Sequence, residues 1–288
     1  MVFNDDSAIR AVHRESIVLL GGGRALLMQI AHPAVAAAVA EHSSFRTDRI
    51  GRFVRTLRPT LTIVFGTETQ AREAARAVNA VHERIVGAGY RAGDPALLAW
   101  VLATLIDTAL EMHRRFVGPL ERHTAENYYA DMRRAGLLLQ VPPDALPPDL
   151  AAFGAYRDEM LSRLEVSPVA RRLERELFAP SPSLLSLPMM RGLRTLTAAL
   201  LPPALRAQYG YQWGPGRASV LRVAESLGRA AWPRLPARLR APPAKLLPRA
   251  RRHSPGTARR KIGRVTGSNH TPPPATCESG RGELRSRF

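Results

Sequence analysis

Histidine is the residue type with which this sequence could most readily bind a metal. The eight histidines stand at positions 13, 32, 42, 82, 113, 123, 253 and 270. No glutamate has a histidine three residues later and no His-Glu-x-x-His occurs, so the helical motifs of di-iron proteins and zinc hydrolases are excluded. The single cysteine, Cys277, excludes a thiolate cluster and an internal disulfide. The metal candidates are therefore histidines.

His82 is the most informative of them. It lies in the middle of an apolar helical face with Val78, Val81 and Ile85, none of which offers a polar partner. A histidine in such a place is most often a core residue bonded to a carbonyl from elsewhere in the fold. A buried imidazole among apolar side chains is also what an axial haem ligand needs, because the macrocycle requires an apolar slot and one nitrogen donor. The residues alone leave both interpretations open.

Arg52, Arg55 and Thr56 form a second group, on the preceding predicted helix. The ordinary explanation of such a run is a solvated basic face. Phe53 and Leu57 on the same helix indicate that part of it is buried, and an arginine beside a buried cavity could hold a haem propionate or a bound oxygen species.

Other sequence features favour structural roles. His32 stands in Ala-His-Pro and is predicted at a helix kink, and His42 is predicted at a helix end. Gly21-Gly22-Gly23 does not fit the spaced glycines of a dinucleotide-binding loop, and no Gly-Lys-Ser/Thr is present, which argues against nucleotide-dependent chemistry.

The elements that position these residues are predicted to be helices, because apolar residues recur at helical spacing and no window sustains a strand-like alternation. The predicted helices are two pieces within Ser16–Glu41 with a kink or restart at Pro33, Phe45–Leu57 closed by Arg58-Pro59, Thr67–Val86, a helix from Asp94-Pro95 to Val117, Ala125–Leu139, Leu150–Leu164, one opened by Ser167-Pro168, Leu187–Leu201 and Ala218–Ala231. The sequence therefore predicts an all-α protein with one helical domain over residues 1–245.

Composition limits the class of protein. The 288 residues are 45% hydrophobic and 23% charged, which excludes a wholly disordered chain and a multi-span membrane protein. The net charge of +18 points to nucleic acid or an anionic membrane, but all the basic residues except Lys245 and Lys261 are arginines, which is typical of GC-rich coding. We expect no specific nucleic-acid binding.

The C-terminal part of the chain differs from the rest. Residues 246–288 carry ten basic and two acidic residues and no apolar periodicity. We predict that this Arg- and Pro-rich tail is disordered and makes at most weak electrostatic contact with polyanions.

The sequence also predicts a location. The start, Met1-Val-Phe-Asn-Asp-Asp, has acids where a secretory signal has bases, so we expect a cytoplasmic protein. The apolar stretch Ala25–Ala40 is interrupted by Gln29, His32 and Pro33, so we expect a buried helix there and no transmembrane segment.

Several motifs together resemble one known family. They are Gly22-Gly-Arg-Ala-Leu-Leu-Met-Gln-Ile-Ala-His-Pro33, Glu41-His-Ser-Ser-Phe45, Arg52-Phe-Val-Arg-Thr56, Val81-His82, Gly89-Tyr-Arg-Ala-Gly-Asp-Pro95, Trp100-Val-Leu-Ala-Thr104 and Tyr209-Gly-Tyr-Gln-Trp213. This combination, spread over about residues 8–245, resembles the catalytic domain shared by the fungal ER-bound oxygenase mpaB and the bacterial rubber oxygenase called latex-clearing protein.

The resemblance implies a helical, partly globin-like core that holds haem b and uses dioxygen to cleave a carbon–carbon double bond in a long isoprenoid chain. It implies that His82 is the axial iron ligand and that Arg52, Arg55 and Thr56 lie on the distal side of the haem, where Arg52 also contacts the cofactor. The implied partners are dioxygen and a hydrophobic, unsaturated lipid or isoprenoid-like substrate. Many relatives have a histidine where Leu102 stands.

Two other functions remain open. A non-catalytic haem- or lipid-binding protein of the same fold is the first, and the leucine at position 102 favours it. The second is a basic protein that binds nucleic acid or a membrane surface, for which the tail is the support.

Overall fold

The structure is a computed structural model that describes residues 1–42, 49–179 and 186–248, without the side chains of residues 49–54 and 186. Within these residues it is helical apart from one two-stranded sheet and the connecting turns, which confirms the all-α class. The elements are α1 Ala8–Arg14, α2 Gly22–Ala31, α3 Pro33–His42, α4 Arg49–Phe65, α5 Glu68–Arg84, β1 Val86–Gly87, β2 Tyr90–Arg91, α6 Pro95–Phe116, α7 Arg122–Leu138, α8 Leu150–Arg163, α9 Pro168–Leu177, α10 Ser186–Leu200, α11 Pro203–Gln208, α12 Pro215–Ala231 and α13 Ala237–Arg240. The globin-like character of the core stays a prediction.

Helix α6 lies at the centre of the core, with α1, α2, α7, α12 and the 3₁₀ turn Ser16–Gly21 packed against it. Its N-terminus was predicted from Asp94-Pro95. The Asp94 Oδ1 atom accepts a hydrogen bond from the backbone N–H of Ala96 at 2.8 Å, and Pro95 is the first helical residue. Trp100 is 1% exposed and its Nε1 donates to the Met28 carbonyl at 3.2 Å, which fixes α6 against α2.

The glycines at the start of α2 allow this close packing. A Cβ atom on Gly21 would collide with the Thr108 and Met112 side chains of α6, and one on Gly23 would collide with Thr197 of α10. Two glycines of the triplet are therefore needed where helices approach one another, a role consistent with the sequence argument against a nucleotide-binding loop.

The prediction that Arg58-Pro59 closes a helix was wrong. Helix α4 continues through Pro59 to Phe65. Proline removes one donor from the helix, but the hydroxyl groups of Thr60 and Thr62 donate to the carbonyls of Thr56 and Arg58 in the turns around it, and α4 packs along α5. Tertiary packing therefore outweighs the local preference of proline. The predicted start at Phe45 lies outside the described residues.

Helix α5 agrees with its prediction at the N-terminus and is shorter at its C-terminus. Thr67 and Gln70 form a capping box, and the helix ends at Arg84. Residues 86–91 form an antiparallel β-hairpin, in which Gly89 adopts a φ of +79° at the turn. No strand was predicted here, because two residues on each side are too few to show an alternating pattern.

The end of the described chain also differs from its prediction. Leu246 was assigned to the disordered tail, but it is 4% exposed and lies in a 3₁₀ turn that contacts α4. Residues 246–248 therefore belong with the helical unit, which extends over Met1–Arg249. The predicted disorder of the rest of the tail lies outside the described residues.

By length and composition, α6 is the one described helix that could span a membrane alone. The segments Ser16–Ala31 and Pro33–His42 pass the same test as a pair bent by 109°. In the most apolar part of α6, 61% is buried inside the fold, as in the core helix of a globular domain.

Candidate functional site

The predicted site residues lie on α4 and α5, which form a helical hairpin joined by Gly66 and Thr67. With a rise of about 1.5 Å per residue, Arg52 lies about 20 Å along α4 from the connection and His82 about 21 Å along α5. The two positions are thus at the same level of the hairpin. Arg55 and Thr56 lie about one turn closer to the connection. The hairpin therefore places the two predicted groups on neighbouring helices.

His82 is half-buried, near the C-terminus of α5. Its Nδ1 atom is buried and has no hydrogen-bond partner within the described part of the chain. Burial lowers the pKa of its imidazole, so the ring is neutral near pH 7. Among the described residues, no carbonyl accepts a hydrogen bond from this Nδ1, which would be the commoner arrangement for a core histidine. A neutral imidazole is the form that binds a metal.

The surroundings of His82 differ from the predicted apolar face. Val78 and Ile85 are half-buried, but Val81 is 55% exposed. Val81 lies on the outer side of α5, whereas the buried side is lined by small residues and Asn79. The prediction of Val81 as a core neighbour was wrong, because the side of α5 that packs on the fold lies about a third of a turn away from it.

Asn79 is a residue of this site that the sequence did not single out. It is 8% exposed, one turn before His82, and its Nδ2 donates to the carbonyl of Leu138 at 3.0 Å. This bond ties α5 to the end of α7 close to His82. The sequence signal that could have identified it is its spacing, because Asn79 follows Ala75 by four residues and precedes His82 by three, which places all three on one side of a helix.

Arg55 and Thr56 have exposed side chains. The Thr56 carbonyl accepts from the Thr60 hydroxyl at 3.3 Å. The side chain of Arg52 lies outside the described residues, so its contact with a cofactor stays a prediction, as do the distal roles of all three residues.

His32 resembles His82 in one respect, since its Nδ1 is also buried without a partner among the described residues. It lies at the bend between α2 and α3, as predicted. Burial lowers the pKa of its imidazole, and the nearby Asp94 carboxylate opposes this shift.

His42 is the last residue of α3, also as predicted. Beside it, the Tyr90 hydroxyl donates to Glu41 Oε2 at 2.6 Å. This bond raises the pKa of Tyr90 to about 12 and joins the β-hairpin to α3.

The donor atoms restrict the cofactor that these residues could hold. Among the residues whose positions the structure describes, no three His, Cys, Asp or Glu side chains come together as a metal site. A metal that the macrocycle itself surrounds needs one protein nitrogen, and the unpaired nitrogen of His82 fits that requirement. The residues present therefore fit a haem with a single histidine ligand.

A cavity of about 430 Å³ lies elsewhere, between the N-terminal segment and α7. Its lining is largely polar and includes Asn4, Asp6, Asn127, Asp131 and Arg134. None of the predicted site residues lines it, and its polarity does not suit a hydrophobic substrate.

Comparison with known proteins defines the class. Residues 9–232 match the family described as the catalytic domain of ER-bound oxygenase mpaB/B' and rubber oxygenase. The chain belongs to this family of oxygenase catalytic domains, as the motifs predicted.

Two curated relatives, the uncharacterized proteins Mb2261 of Mycobacterium bovis and Rv2237 of Mycobacterium tuberculosis, are each 30% identical over 224 residues. Each alignment covers 70% of this chain and 86% of the relative. No solved structure matches the chain significantly.

Leu102 has a defined place in the fold. It is 4% exposed, and a Cβ atom on Gly136 of α7 would collide with its Cδ2. Leu102 therefore fills the interface between α6 and α7, and a leucine there contributes to the core without offering a ligand atom.

Proposed function

We propose that the protein is a haem b-dependent oxygenase that acts on a hydrophobic, unsaturated lipid or isoprenoid-like molecule. The supporting observation is the half-buried imidazole of His82, whose Nδ1 has no partner among the described residues, in a chain that belongs to an oxygenase family. The family-implied reaction is oxidative cleavage of a carbon–carbon double bond, in which one dioxygen molecule supplies one oxygen atom to each of two carbonyl products.

In this proposal His82 holds the cofactor through its neutral ring. A bound haem would supply the iron at which dioxygen is activated. Asn79 positions His82, because its bond to the Leu138 carbonyl fixes the preceding turn of α5 against α7. Arg52 and Arg55 provide positive charge on the neighbouring helix for a propionate or a reduced oxygen species.

The test begins with the purified full-length chain and added haem b. A Soret band that titrates to one haem per chain supports the cofactor assignment, and failure to bind haem contradicts it. Oxygen uptake is then measured with squalene as a long unsaturated isoprenoid and with its saturated analogue squalane. Uptake with squalene alone, together with carbonyl products, supports the oxygenase.

The alternative is a non-catalytic haem- or lipid-binding protein of this family. Leu102 favours it, because this leucine is buried against Gly136 and offers no ligand atom at a position where the family resemblance leads us to expect a histidine. Stoichiometric haem binding without oxygen uptake on any unsaturated lipid would support this alternative and contradict the oxygenase.

A further inference from the structure

Helix α12 has an unusual distribution of apolar residues. No residue of this helix is fully buried, and the half-buried side, which includes Leu221 and Glu225, packs on α6. Val220, Val223 and Leu227 lie on the opposite side and are 71%, 60% and 64% exposed. Their spacing of three and four residues places them in one stripe along the helix. Helix α12 is therefore apolar on its solvent side.

The segment that follows continues this surface. Leu235 and Leu239 are 37% and 61% exposed. Five of the eleven large apolar side chains that the described residues leave exposed thus fall between Val220 and Leu239. A typical surface has such residues scattered singly, and a cluster of this kind marks a contact site.

The charge around the stripe is strongly positive. Residues 217–245 contain seven basic residues and one acid, Glu225. Glu225 is neutralised by Arg115, whose Nη1 donates to it at 2.8 Å. Within the part of the chain that the structure describes, five arginines of this segment form no ion pair: Arg217, Arg222, Arg229, Arg234 and Arg238.

The apolar stripe and the positive charge around it together indicate what binds this surface. An exposed apolar stripe in a segment whose arginines form no ion pair is the pattern of a helix that lies in the headgroup region of an anionic bilayer. A second copy of this chain would bring the same positive charge against itself, at a net charge of +18 per chain. An anionic lipid surface complements both the apolar stripe and the arginines.

We propose that the outer face of α12, with Leu235 and Leu239, binds the surface of an anionic lipid bilayer. The helix lies parallel to the surface, with Val220, Val223 and Leu227 inserted among the headgroups and the arginines near lipid phosphates. This role is independent of the oxygenase, although it would bring a lipid-soluble substrate close to the protein.

The test is flotation of the full-length chain with vesicles of phosphatidylcholine alone and of phosphatidylcholine containing phosphatidylglycerol. We expect binding to the anionic vesicles that retains a component at 0.5 M NaCl, since apolar insertion is not screened. The triple variant Val220→Gln, Val223→Gln, Leu227→Gln should lose that component, with partitioning reduced at least about tenfold. Arg222→Gln with Arg229→Gln should reduce binding about tenfold at low salt.

Matched controls separate this surface from the basic tail. Leu137→Gln removes another leucine that is 53% exposed, and Arg175→Gln removes another exposed arginine; neither should alter binding. Circular dichroism confirms that each variant is folded. If the triple variant binds like the parent chain, the tail accounts for binding and the proposal fails. It also fails if the parent chain does not bind anionic vesicles, or if sedimentation shows a dimer that the triple variant abolishes.

Discussion

The guanidinium group of Arg24 on α2 forms an ion pair with the carboxylate of Asp107 on α6, and both side chains are more than nine-tenths buried. Arg24 also donates to the Thr108 hydroxyl at 2.7 Å and to the Leu200 carbonyl at 2.8 Å. Asp107 accepts a second hydrogen bond from Arg157 of α8 at 3.0 Å. This network joins α2, α6, α8 and α10 around the glycine triplet.

Asp107→Ala should destabilise the fold strongly. The substitution leaves the buried charge of Arg24 without its counter-charge, at a cost of roughly 3–5 kcal/mol in the free energy of unfolding. Urea denaturation followed by circular dichroism measures the change. Glu68→Ala is the matched control, because its pair with Arg72 is solvent-exposed and screened, so its loss should change the free energy of unfolding little. Equal effects of the two variants would contradict the structural role of the buried pair.

If His82 is the haem ligand, as proposed, His82→Ala should abolish haem retention and leave a folded helical protein, since alanine is favourable in a helix. The Soret band after reconstitution measures retention, and added imidazole should restore a histidine-like spectrum. His32→Ala is the control, because His32 has the same unpaired buried nitrogen. An unchanged Soret band in His82→Ala would disprove the assignment of His82 as the haem ligand. Loss of the Soret band in His32→Ala alone would identify His32 as the ligand instead.

If Arg55 lies on the distal side of the haem, as the proposed function requires, Arg55→Gln should lower turnover at least about tenfold while haem content stays close to that of the parent chain. Its charge would then act on oxygen or a propionate and not on the axial bond. Absorbance gives the haem content and oxygen uptake gives the turnover. Arg58→Gln, an exposed arginine on the same helix, is the control. A parallel loss of haem and turnover in Arg55→Gln would indicate a structural role.

Buried His13 should make stability depend on pH. Burial lowers the pKa of its imidazole to about 4, and its Nε2 lies 3.4 Å from the Tyr128 hydroxyl. Below about pH 6.5 the unfolded chain binds a proton at this histidine that the folded chain does not. The free energy of unfolding therefore decreases as the pH falls from about 6.5 towards 4. The loss is of the order of 3 kcal/mol at the acid end.

The variant His13→Gln keeps a polar group in this place without a titration in that range. Its free energy of unfolding should therefore change less than that of the parent chain between pH 7 and pH 4.5. Denaturation curves at several pH values measure this difference. Identical pH profiles of the two proteins would show that His13 is not the group responsible.

Two truncations should separate the tail from the helical unit. A chain that ends at Arg249 should keep the melting temperature of the full chain, because the removed segment has no apolar periodicity. A chain that ends at Lys245 also loses buried Leu246 and should be destabilised by roughly 2–5 kcal/mol. Thermal denaturation compares the three. A large decrease in melting temperature for the chain that ends at Arg249 would show that the tail packs on the fold.

The sequence by itself determined the helical class and the helix starts at Asp94, Thr67 and Ser167, because a cap and its helix lie within four residues of each other. It also identified the family, whose motifs are local strings, and it singled out His82. These features depend on hydrogen bonds and backbone angles between near neighbours in the chain, which are encoded by the residues themselves.

Only the tertiary structure decided which faces of the helices are buried. Val81 and Leu227 are as apolar as core residues, but no described element packs on their side of α5 or α12. Helix α4 remains helical at Pro59 because it packs along α5. Leu246 is buried because its 3₁₀ turn packs against α4. Burial depends on contacts between residues far apart in the sequence, and periodicity within one helix does not specify its partner. For the same reason the unpaired nitrogen of His82 became evident only in the folded chain.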